Sequence, residues 1–308
     1  MKEKVLVYGA GGEQGGAVAR RLIKEGFAVK AIVRKEETAK ELRMRGIEAG
    51  IGRYEDADSL REGTRGAKKV VFQLPQEHDE AKAVGYARNI IGAAKEEGVS
   101  LIVFNTSSIV PEQVDLAPIR IKRRVIGELA ASGIPYIVLK PTAYMENVLG
   151  PWTAPGILQQ GTFAYPIPEH MAVSWIALDD MAGFVAEALR RPQLSGAEFQ
   201  LGGPEALTGP QVAKLLGARL GREIGYLPIP LDLFERQLSS AIGEEASREV
   251  TGLYRWQSGL DSSPLDVPNL FETLRQLPVR LTPFRTFLAN APWEQLLAEA
   301  ARKEGGVR

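Results

Sequence analysis

An apolar strand that leads straight into a cluster of glycines constrains this chain more than any other stretch. Residues 4–16 read Lys-Val-Leu-Val-Tyr-Gly-Ala-Gly-Gly-Glu-Gln-Gly-Gly. The apolar run at 5–8 predicts a strand buried on both faces. At the spacing that follows, Gly9 permits a tight turn, Gly12 lets the backbone approach a pyrophosphate, and Gly15 lets a helix pack closely on the sheet. The stretch therefore predicts a strand, a phosphate-binding turn and the start of a helix.

The residues around this turn complete a recognisable unit. An amphipathic helix is predicted at 17–24 and a second apolar strand at 28–33, which together make one βαβ unit of the expected ~30 residues. The free N–H groups of the helix's first turn would face a bound anion. The alternative is a strand, turn and helix with no ligand, in a chain that contains 32 glycines. The context favours a dinucleotide site.

Composition excludes several classes of function. The 38 basic residues balance the 38 acidic ones, so no overall positive field would recruit nucleic acid or an anionic membrane. The chain has no cysteine, which excludes disulfides and thiol nucleophiles, and its two histidines, His78 and His170, do not suggest a metal site. No apolar signal core or run of ~20 apolar residues is present, which predicts a cytoplasmic protein.

Strands alternate with helices up to Pro141, which predicts a Rossmann-like α/β fold with a doubly wound parallel sheet. Further strands are predicted at 46–51, 69–74, 100–105 and 135–139, and helices at 56–62, 77–97 and 118–131. Beyond Pro141, prolines and aromatic residues break this alternation, and a smaller, mainly helical domain begins. A strand at 173–178, a helix at 179–190 and a strand at 198–201 are predicted to return to the sheet. We therefore predict a first domain of 1–141 and 178–202, and a second of 142–177 and 203–308.

The end of the second strand indicates which dinucleotide binds. Sites that prefer NAD usually carry an acidic residue there, ~20 residues past the glycines, to bind the ribose 2′-hydroxyl. This chain has Arg34 and Lys35 at that place. Two cations would pair with a 2′-phosphate, so NADP(H) is favoured. The alternative is a solvated helix start that Glu36 and Glu37 balance.

Several separate motifs resemble the NmrA-like branch of the atypical short-chain dehydrogenase/reductases, over nearly the whole chain. The glycine turn is similar to the family's Gly-Ala-Thr-Gly-Asn-Gln-Gly-Gly, and residues 32–34 to its second strand with a terminal arginine. Residues 139–147 resemble its Leu-Arg-Pro segment followed by Phe-Met-Glu-Asn, 178–182 its Val-x-Asp-Ile-Ala helix start, and 199–205 its last strand. The resemblance implies a Rossmann domain that binds NADP(H) and a smaller C-terminal domain that closes over the nicotinamide.

The resemblance also implies roles for individual residues. The residues expected to bind the cofactor are Gly9, Gly11, Gly12, Glu13, Gln14 and Gly15 in the turn, Arg34 and Lys35, and then Gln73, Pro75, Ser107, Lys122, Tyr144 and Asn147. Some relatives reduce quinones, dyes or phenylpropanoid compounds with NADPH, whereas others bind the nucleotide without demonstrated turnover and regulate other proteins. The partner is therefore a small-molecule acceptor or a regulated protein, with no nucleic acid, membrane or metal expected. The sequence does not predict the oligomeric state.

The expected catalytic pair is incomplete. Ordinary short-chain dehydrogenases carry Tyr-x-x-x-Lys on one helix face, where the lysine holds the ribose and lowers the tyrosine pKa. The matching helix here has Lys122, the candidate catalytic residue, but Pro118 stands where the tyrosine would be. The alternative is that Lys122 is a surface lysine. A second Tyr-x-x-x-Lys match, Tyr136 and Lys140, falls in a predicted strand that would hold the two residues ~13 Å apart, and we interpret it as coincidence.

Other polar residues follow predicted strand ends, where ligands of this fold usually bind. Ser107 and Ser108 are candidates to bind the nicotinamide or a substrate carbonyl, or are ordinary turn serines. His78 and Tyr144 are alternative proton donors. Relatives usually have Gly-Asp after the third strand, but this chain has Arg53 after its glycine. Arg53 would then stack on the adenine or add a charge for the 2′-phosphate.

Overall fold

The computed structural model describes residues 3–297, which form two compact units. The first contains the described residues up to Pro141 together with Leu178–Leu201 and Asn269–Arg280, and the second contains Thr142–Ala177, Gly202–Pro268 and the described residues from Leu281 on. Residues 1–2 and 298–308, which the sequence assigns to the first and second domains, lie outside the described residues.

Strands and helices are numbered here in chain order. The strands are β1 Lys4–Tyr8, β2 Ala28–Val33, β3 Glu48–Ile51, β4 Lys69–Phe72, β5 Leu101–Asn105, β6 Tyr136–Pro141, β7 Thr162–Tyr165, β8 Ala172–Ser174, β9 Glu198–Leu201, β10 Ala206–Thr208 and β11 Gly225–Pro228. The helices are α1 Glu13–Lys24, α2 Glu36–Met44, α3 Ala57–Thr64, α4 Glu80–Glu96, α5 Ala117–Ser132, α6 Ala154–Gln160, α7 Leu178–Leu189, α8 Gly209–Leu220, α9 Leu231–Ile242, α10 Glu244–Ser258, α11 Leu270–Gln276 and α12 Phe284–Asn290.

The first unit is built on a seven-stranded sheet in the order β3-β2-β1-β4-β5-β6-β9, and every neighbouring pair is parallel. Helices α3, α4 and α5 pack in sequence on one another, and α1 packs on α7. The strand order turns back at β1 and β4, so the ends of β1 and β4 form the crevice in which ligands of such sheets bind. This arrangement confirms the predicted doubly wound parallel sheet.

Both faces of this sheet are covered, so its strands are apolar on both sides. All four residues of β4 and all five of β5 are buried, and the Phe72 and Phe104 rings stack with centroids 4.6 Å apart. Side chains of α3, α4 and α5, including Leu60, Ile90 and Leu129, join the same core cluster. The carboxyl ends of the strands are therefore fixed by a rigid core beneath them.

Several predicted boundaries move for local reasons. Helix α4 begins at Glu80 rather than at residue 77, because Asp79 caps it by accepting a hydrogen bond from the Lys82 backbone N–H at 3.0 Å. The partial return to the sheet that is predicted for 173–201 is made by β9, which pairs with β6, and not by 173–178. Strand β8 pairs antiparallel with β10 in the second unit, and Leu178 opens α7. Residues 269–280, predicted for the second domain, group with the first unit, where α11 packs on β9.

The second unit is mainly helical, with two small sheets. Besides β8 and β10, it pairs β7 with β11 in parallel, and α9 packs on α10. Aromatic side chains pack around Tyr165, whose ring lies 5.2 Å from Trp175 and 6.0 Å from Tyr254 between centroids. Within residues 3–297, no helix combines the length and the apolarity that crossing a membrane requires.

Candidate functional site

The glycine turn joins β1 to α1 with a geometry that requires glycine at two positions. Gly9 has a φ of +72°, in the left-handed region, and its carbonyl accepts a hydrogen bond from the Gly12 N–H at 2.9 Å. A Cβ on Gly15 would lie 2.3 Å from the Gly9 oxygen, so the helix can pack this closely on the turn only without a side chain there. Glycine at 9 and 15 is thus explained by the fold.

Gly12 has no such structural reason. It caps α1 with extended backbone angles, and a Cβ there would meet only the Gly9 oxygen, at an ordinary 3.5 Å. The space beside Gly12 is therefore open, and residues 11–13 at the start of α1, where the helix has unsatisfied N–H groups, are exposed. A glycine at this position leaves room for an anion to approach the helix N-terminus. Gly11 differs, since a Cβ there would lie 2.6 Å from Thr38 of α2, and Glu13 is exposed in the first turn of α1.

Four polar side chains meet beside this turn, at the ends of β4 and β5. Asn105 is 2% exposed, and its Nδ2 donates to Gln14 Oε1 at 2.9 Å and to Gln73 Oε1 at 3.4 Å. Asn105 Oδ1 accepts from the Ser107 backbone N–H at 2.9 Å, and the Ser107 hydroxyl lies 3.0 Å from Gln14 Oε1. The structure thus brings together Gln14, Gln73 and Ser107, and it adds Asn105 to them. The signal that could have found Asn105 is a lone amide that ends an apolar strand.

Ser107 carries backbone strain at this place. Within residues 3–297 it is the one residue other than glycine with a positive φ, at 60°. Thr106 anchors the turn from the other side, since its backbone N–H and its hydroxyl both donate to the Leu139 carbonyl, at 3.0 and 3.1 Å. Left-handed non-glycine residues persist where the surroundings over-determine them, and they cluster at binding and active sites. The strain supports the reading of 107–108 as a functional turn.

Lys122 reaches the same turn from α5. Its Nζ donates to the Ser108 hydroxyl at 2.6 Å, and burial lowers the pKa of the amine to about 8. Lys122 is therefore not a surface lysine. Lys140, in the coincidental match, instead pairs with Glu198 on the neighbouring strand. Pro118 lies in the first turn of α5 and supplies no phenol.

The ends of β2 and β3 present unpaired cations. Glu36 pairs with Arg43 at 2.7 Å and so does not neutralise Arg34. Within the described part of the chain, the exposed side chains of Arg34, Lys35 and Arg53 make no hydrogen bond or ion pair. The Gly52 N–H donates to the Val33 carbonyl at 3.1 Å, which places Arg34 and Arg53 at adjacent strand ends.

Glu55 lies close to both arginines. The pKa of this carboxyl is held below its usual value. The largest cause is a hydrogen bond from its own backbone N–H, followed by the Tyr86 hydroxyl and then by Arg53 and Arg34. The two guanidinium groups thus share one neighbour at the edge of the sheet. Arg53 is therefore an available cation just after the end of β3.

The arginines of α5 form a second cluster of cations, and their side chains already have partners within the first unit. Arg120 pairs with Glu80 at 3.1 Å and with Asp115 at 2.9 Å, and Arg124 pairs with Glu80 at 2.9 Å. Arg123 donates to the Val114 carbonyl at 2.7 Å. The partners of this run are therefore carboxylates and a carbonyl of the first unit.

The remaining candidates are Pro75 and His78 in the first unit and Tyr144 and Asn147 in the second. Pro75 and His78 are half-buried in the segment between β4 and α4. Tyr144 and Asn147 belong to the second unit, where Tyr144 is buried and Asn147 Nδ2 donates to the Tyr165 hydroxyl at 3.1 Å. Burial raises the pKa of Tyr165 above its ordinary value. Among residues 3–297 no group of three histidine and acidic side chains is placed to hold a metal ion.

A model described as the NmrA-like family matches residues 1–270. An NAD(P)H azoreductase of Xenophilus azovorans is 30% identical over 270 residues, which cover 86% of this chain and 85% of that protein.

Two solved structures extend the comparison. An NADPH-dependent quinone oxidoreductase of Escherichia coli, complexed with NADPH, has a TM-score of 0.74 at 24% identity and covers 92% of this chain and 98% of its own. A triphenylmethane reductase of Citrobacter sp., complexed with NADP(H), has a TM-score of 0.76 at 21% identity and covers 96% and 99%. At these identities the likeness shows a shared fold.

Proposed function

The chain belongs to the NmrA-like family, and on that premise we propose that it is an NADPH-dependent reductase of a quinone-like or other conjugated acceptor. The observation that carries the proposal is the placement of Lys122. An amine held against Ser108, with a pKa lowered to about 8, reaches the carboxyl end of β5 in the same unit as the open glycine turn. Shifted pKa values of this kind are typical of functional sites.

The residues of the first unit fit an NADP(H) molecule. The first-turn N–H groups of α1 and the open side of Gly12 would take the diphosphate. Arg34 and Lys35 would take the 2′-phosphate, and Arg53 would add a third cation there. Gln73 stands beside the glycine turn, and Pro75, Ser107 and Lys122 would follow towards the ribose and nicotinamide. Tyr144 and Asn147 remain candidates from the second unit.

The chemistry of acceptors named for relatives points to one class. An azoreductase, a quinone oxidoreductase and a triphenylmethane reductase all act on delocalised π systems. The bound NADPH would supply the hydride. The protein would hold the ribose with Lys122 and present the Ser108 hydroxyl beside that amine. It has no phenol in the usual position, because Pro118 stands there.

The missing phenol is what selects the acceptor. A positioned general acid contributes typically ~10²–10⁴-fold, and a simple ketone needs that proton because its alkoxide charge stays on one atom. A quinone or dye spreads the developing charge over its ring system and depends on the acid less. We therefore expect ready reduction of conjugated acceptors and very slow reduction of simple ketones.

The second candidate is a binding protein that senses NADP⁺ against NADPH and regulates a partner. The absent tyrosine is the observation that favours it, since a sensor needs the nucleotide site but no proton donor. Both candidates require the same cofactor, so binding alone does not separate them.

The experiment is a paired assay on the full chain. NADPH consumption is followed with quinones, azo and triphenylmethane dyes and simple ketones, and protease protection is compared in NADP⁺ and NADPH. If the chain is a reductase, we expect turnover with conjugated acceptors only. Lys122→Ala should raise the KM for NADPH, and the exposed Lys95→Ala is the control. Rapid ketone reduction would overturn the acceptor class and point to Tyr144 or His78 as the donor. No turnover, with protection that differs between the two nucleotides, would establish the sensor instead.

A further inference from the structure

Asn105 is fully enclosed, and its hydrogen bonds can be satisfied in one orientation only. The backbone N–H of Ser107 is a donor, so the atom that faces it at 2.9 Å must be the Asn105 carbonyl oxygen. The amide nitrogen of Asn105 must then point to the other side, where it lies 2.9 Å from Gln14 and 3.4 Å from Gln73. A backbone group therefore fixes which way this buried side chain is turned.

The orientation of Asn105 sets the orientation of both glutamines. An amide N–H₂ can only donate, so Gln14 and Gln73 must each turn their carbonyl oxygen towards Asn105. The Ser107 hydroxyl also contacts Gln14 Oε1, but a hydroxyl can donate or accept and would tolerate either orientation. Asn105 is the group in this cluster that discriminates between them.

The consequence is that both glutamines turn their amino groups away from Asn105. The Gln73 Nε2 lies 3.4 Å from the point that a Cβ on Gly9 would occupy, so this amino group stands over the glycine turn. Gln14 is in the first turn of α1, one residue after Glu13, and its N–H₂ end is opposite the oxygen held by Asn105 and Ser107. The Gln73 amino group is thus held at the glycine turn, and the Gln14 amide belongs to the first turn of the helix that follows it.

We propose that Asn105 is a positioning residue that turns the amides of Gln14 and Gln73 so that they present N–H groups to the diphosphate of the dinucleotide. This inference rests on the proposed function, because it assumes the nucleotide site. It assigns Asn105 a role in holding the part of the ligand that NADPH and NADH share, distinct from the 2′-phosphate cations.

Asn105→Asp separates the hydrogen bond that this residue accepts from the hydrogen bonds that it donates. A carboxylate still accepts from the Ser107 N–H but cannot donate to the glutamines, so both amides should rotate and turn oxygen towards the diphosphate. Calorimetric titration should show the affinities for NADPH and NADH falling together, by roughly tenfold or more, with the ratio between them unchanged. In mildly acidic solution the introduced carboxyl gains a proton, can donate again, and should recover affinity relative to the parent.

The pH profile distinguishes positioning from packing. The hydrogen-bonding neighbours of Asn105 are uncharged, so acid recovery in the variant alone reports the introduced carboxyl. Unchanged affinity at neutral pH, loss for NADPH alone, or a loss that is the same at every pH would each overturn the proposal. A parent protein that binds neither dinucleotide would instead contradict the proposed function itself.

Gln14→Glu keeps the test decisive if the first variant does not fold. One carboxylate oxygen still accepts from Asn105 and Ser107, while the other replaces the amino group, and an acid in the first turn of α1 suits the helix dipole. Affinity for both dinucleotides should fall by at least roughly tenfold with an unchanged melting temperature. The exposed Gln113→Glu adds the same charge elsewhere and should bind as the parent does. Parent-like binding by Gln14→Glu would overturn the proposal.

Discussion

At the scale of single residues, Lys122 shows a conflict between stability and function. Its amine is enclosed against Ser108, and burial lowers its pKa from 10.5 to about 8, which means that the folded protein disfavours the charged form. Replacement by Met, of similar length but without charge, should therefore raise the free energy of unfolding at neutral pH, by up to about 3 kcal/mol. Denaturant unfolding with the exposed Lys95→Met as control measures this.

The same shift fixes the sign of the pH dependence. Between about 8 and 10.5 the unfolded chain holds a proton on Lys122 that the folded chain has lost, so the parent gains stability as the pH rises through that window. Lys122→Met should lack this gain, and the two curves should converge above it. A Met variant that is less stable than the parent at neutral pH would mean that the lysine stabilises the fold.

Arg34 tests the assignment of the dinucleotide. A charge-assisted hydrogen bond is worth ~1.5–3 kcal/mol, so Arg34→Ala should weaken NADPH binding by roughly 10- to 150-fold while leaving NADH nearly unchanged. The fluorescence of bound reduced nicotinamide gives both affinities. The exposed Arg45→Ala, which removes the same charge just after α2, is the control. Equal weakening of the two dinucleotides would place Arg34 away from the 2′-phosphate.

At the scale of elements, the start of α1 distinguishes glycines required by the fold from glycines required by a ligand. Gly15→Val should lower the melting temperature, since its Cβ would collide with the Gly9 carbonyl. Gly12→Val should keep a parent-like fold by circular dichroism and lose both dinucleotides, because its side chain would fill the space beside the turn. Retained binding by a folded Gly12→Val protein would show that the open space serves no ligand.

The strands and helices also show where sequence patterns suffice to predict the bounds of an element. Strands β1, β2 and β9 have the predicted bounds or nearly so, because a glycine close to one end of each limits where the strand can run. Strand β8 was misread because the apolar run 173–178 continues through a turn into α7, and periodicity alone does not show which strand it pairs with. The bounds of α2 were not predicted either, since its surface is polar and only Ala39 and Leu42 are buried.

The candidate site was predictable only in its separate parts. The glycine turn and the cations at 34–35 are local patterns, and they place one end of the ligand. The hydrogen bonds that define the polar cluster join residues far apart in sequence, such as Gln14 and Asn105, 91 positions apart. No local pattern encodes such a contact, and the sequence marks Asn105 only as a lone amide at the end of an apolar strand. The pairing of Arg120 and Arg124 with Glu80 was unreadable for the same reason.

At the scale of the whole molecule, the charges balance overall, but some clusters of cations have acidic partners and others do not. The chain has no net charge, and Arg120 and Arg124 of α5 are neutralised by acidic neighbours, whereas the cations at the ends of β2 and β3 are left available. Three available cations therefore lie together at one edge of the sheet in the first unit. Both the reductase and the sensor depend on this edge binding NADP(H), which makes it the central claim.

Calorimetric titration of the full parent chain with NADPH and with NADH tests that claim most directly. The account predicts that both dinucleotides bind, since they share the diphosphate that the glycine turn receives. It also predicts that NADPH binds at least roughly tenfold more tightly, because only NADPH carries the phosphate that Arg34 and Lys35 would pair with. No binding of either dinucleotide would contradict the account entirely, and equal affinities would contradict the assignment of NADP(H).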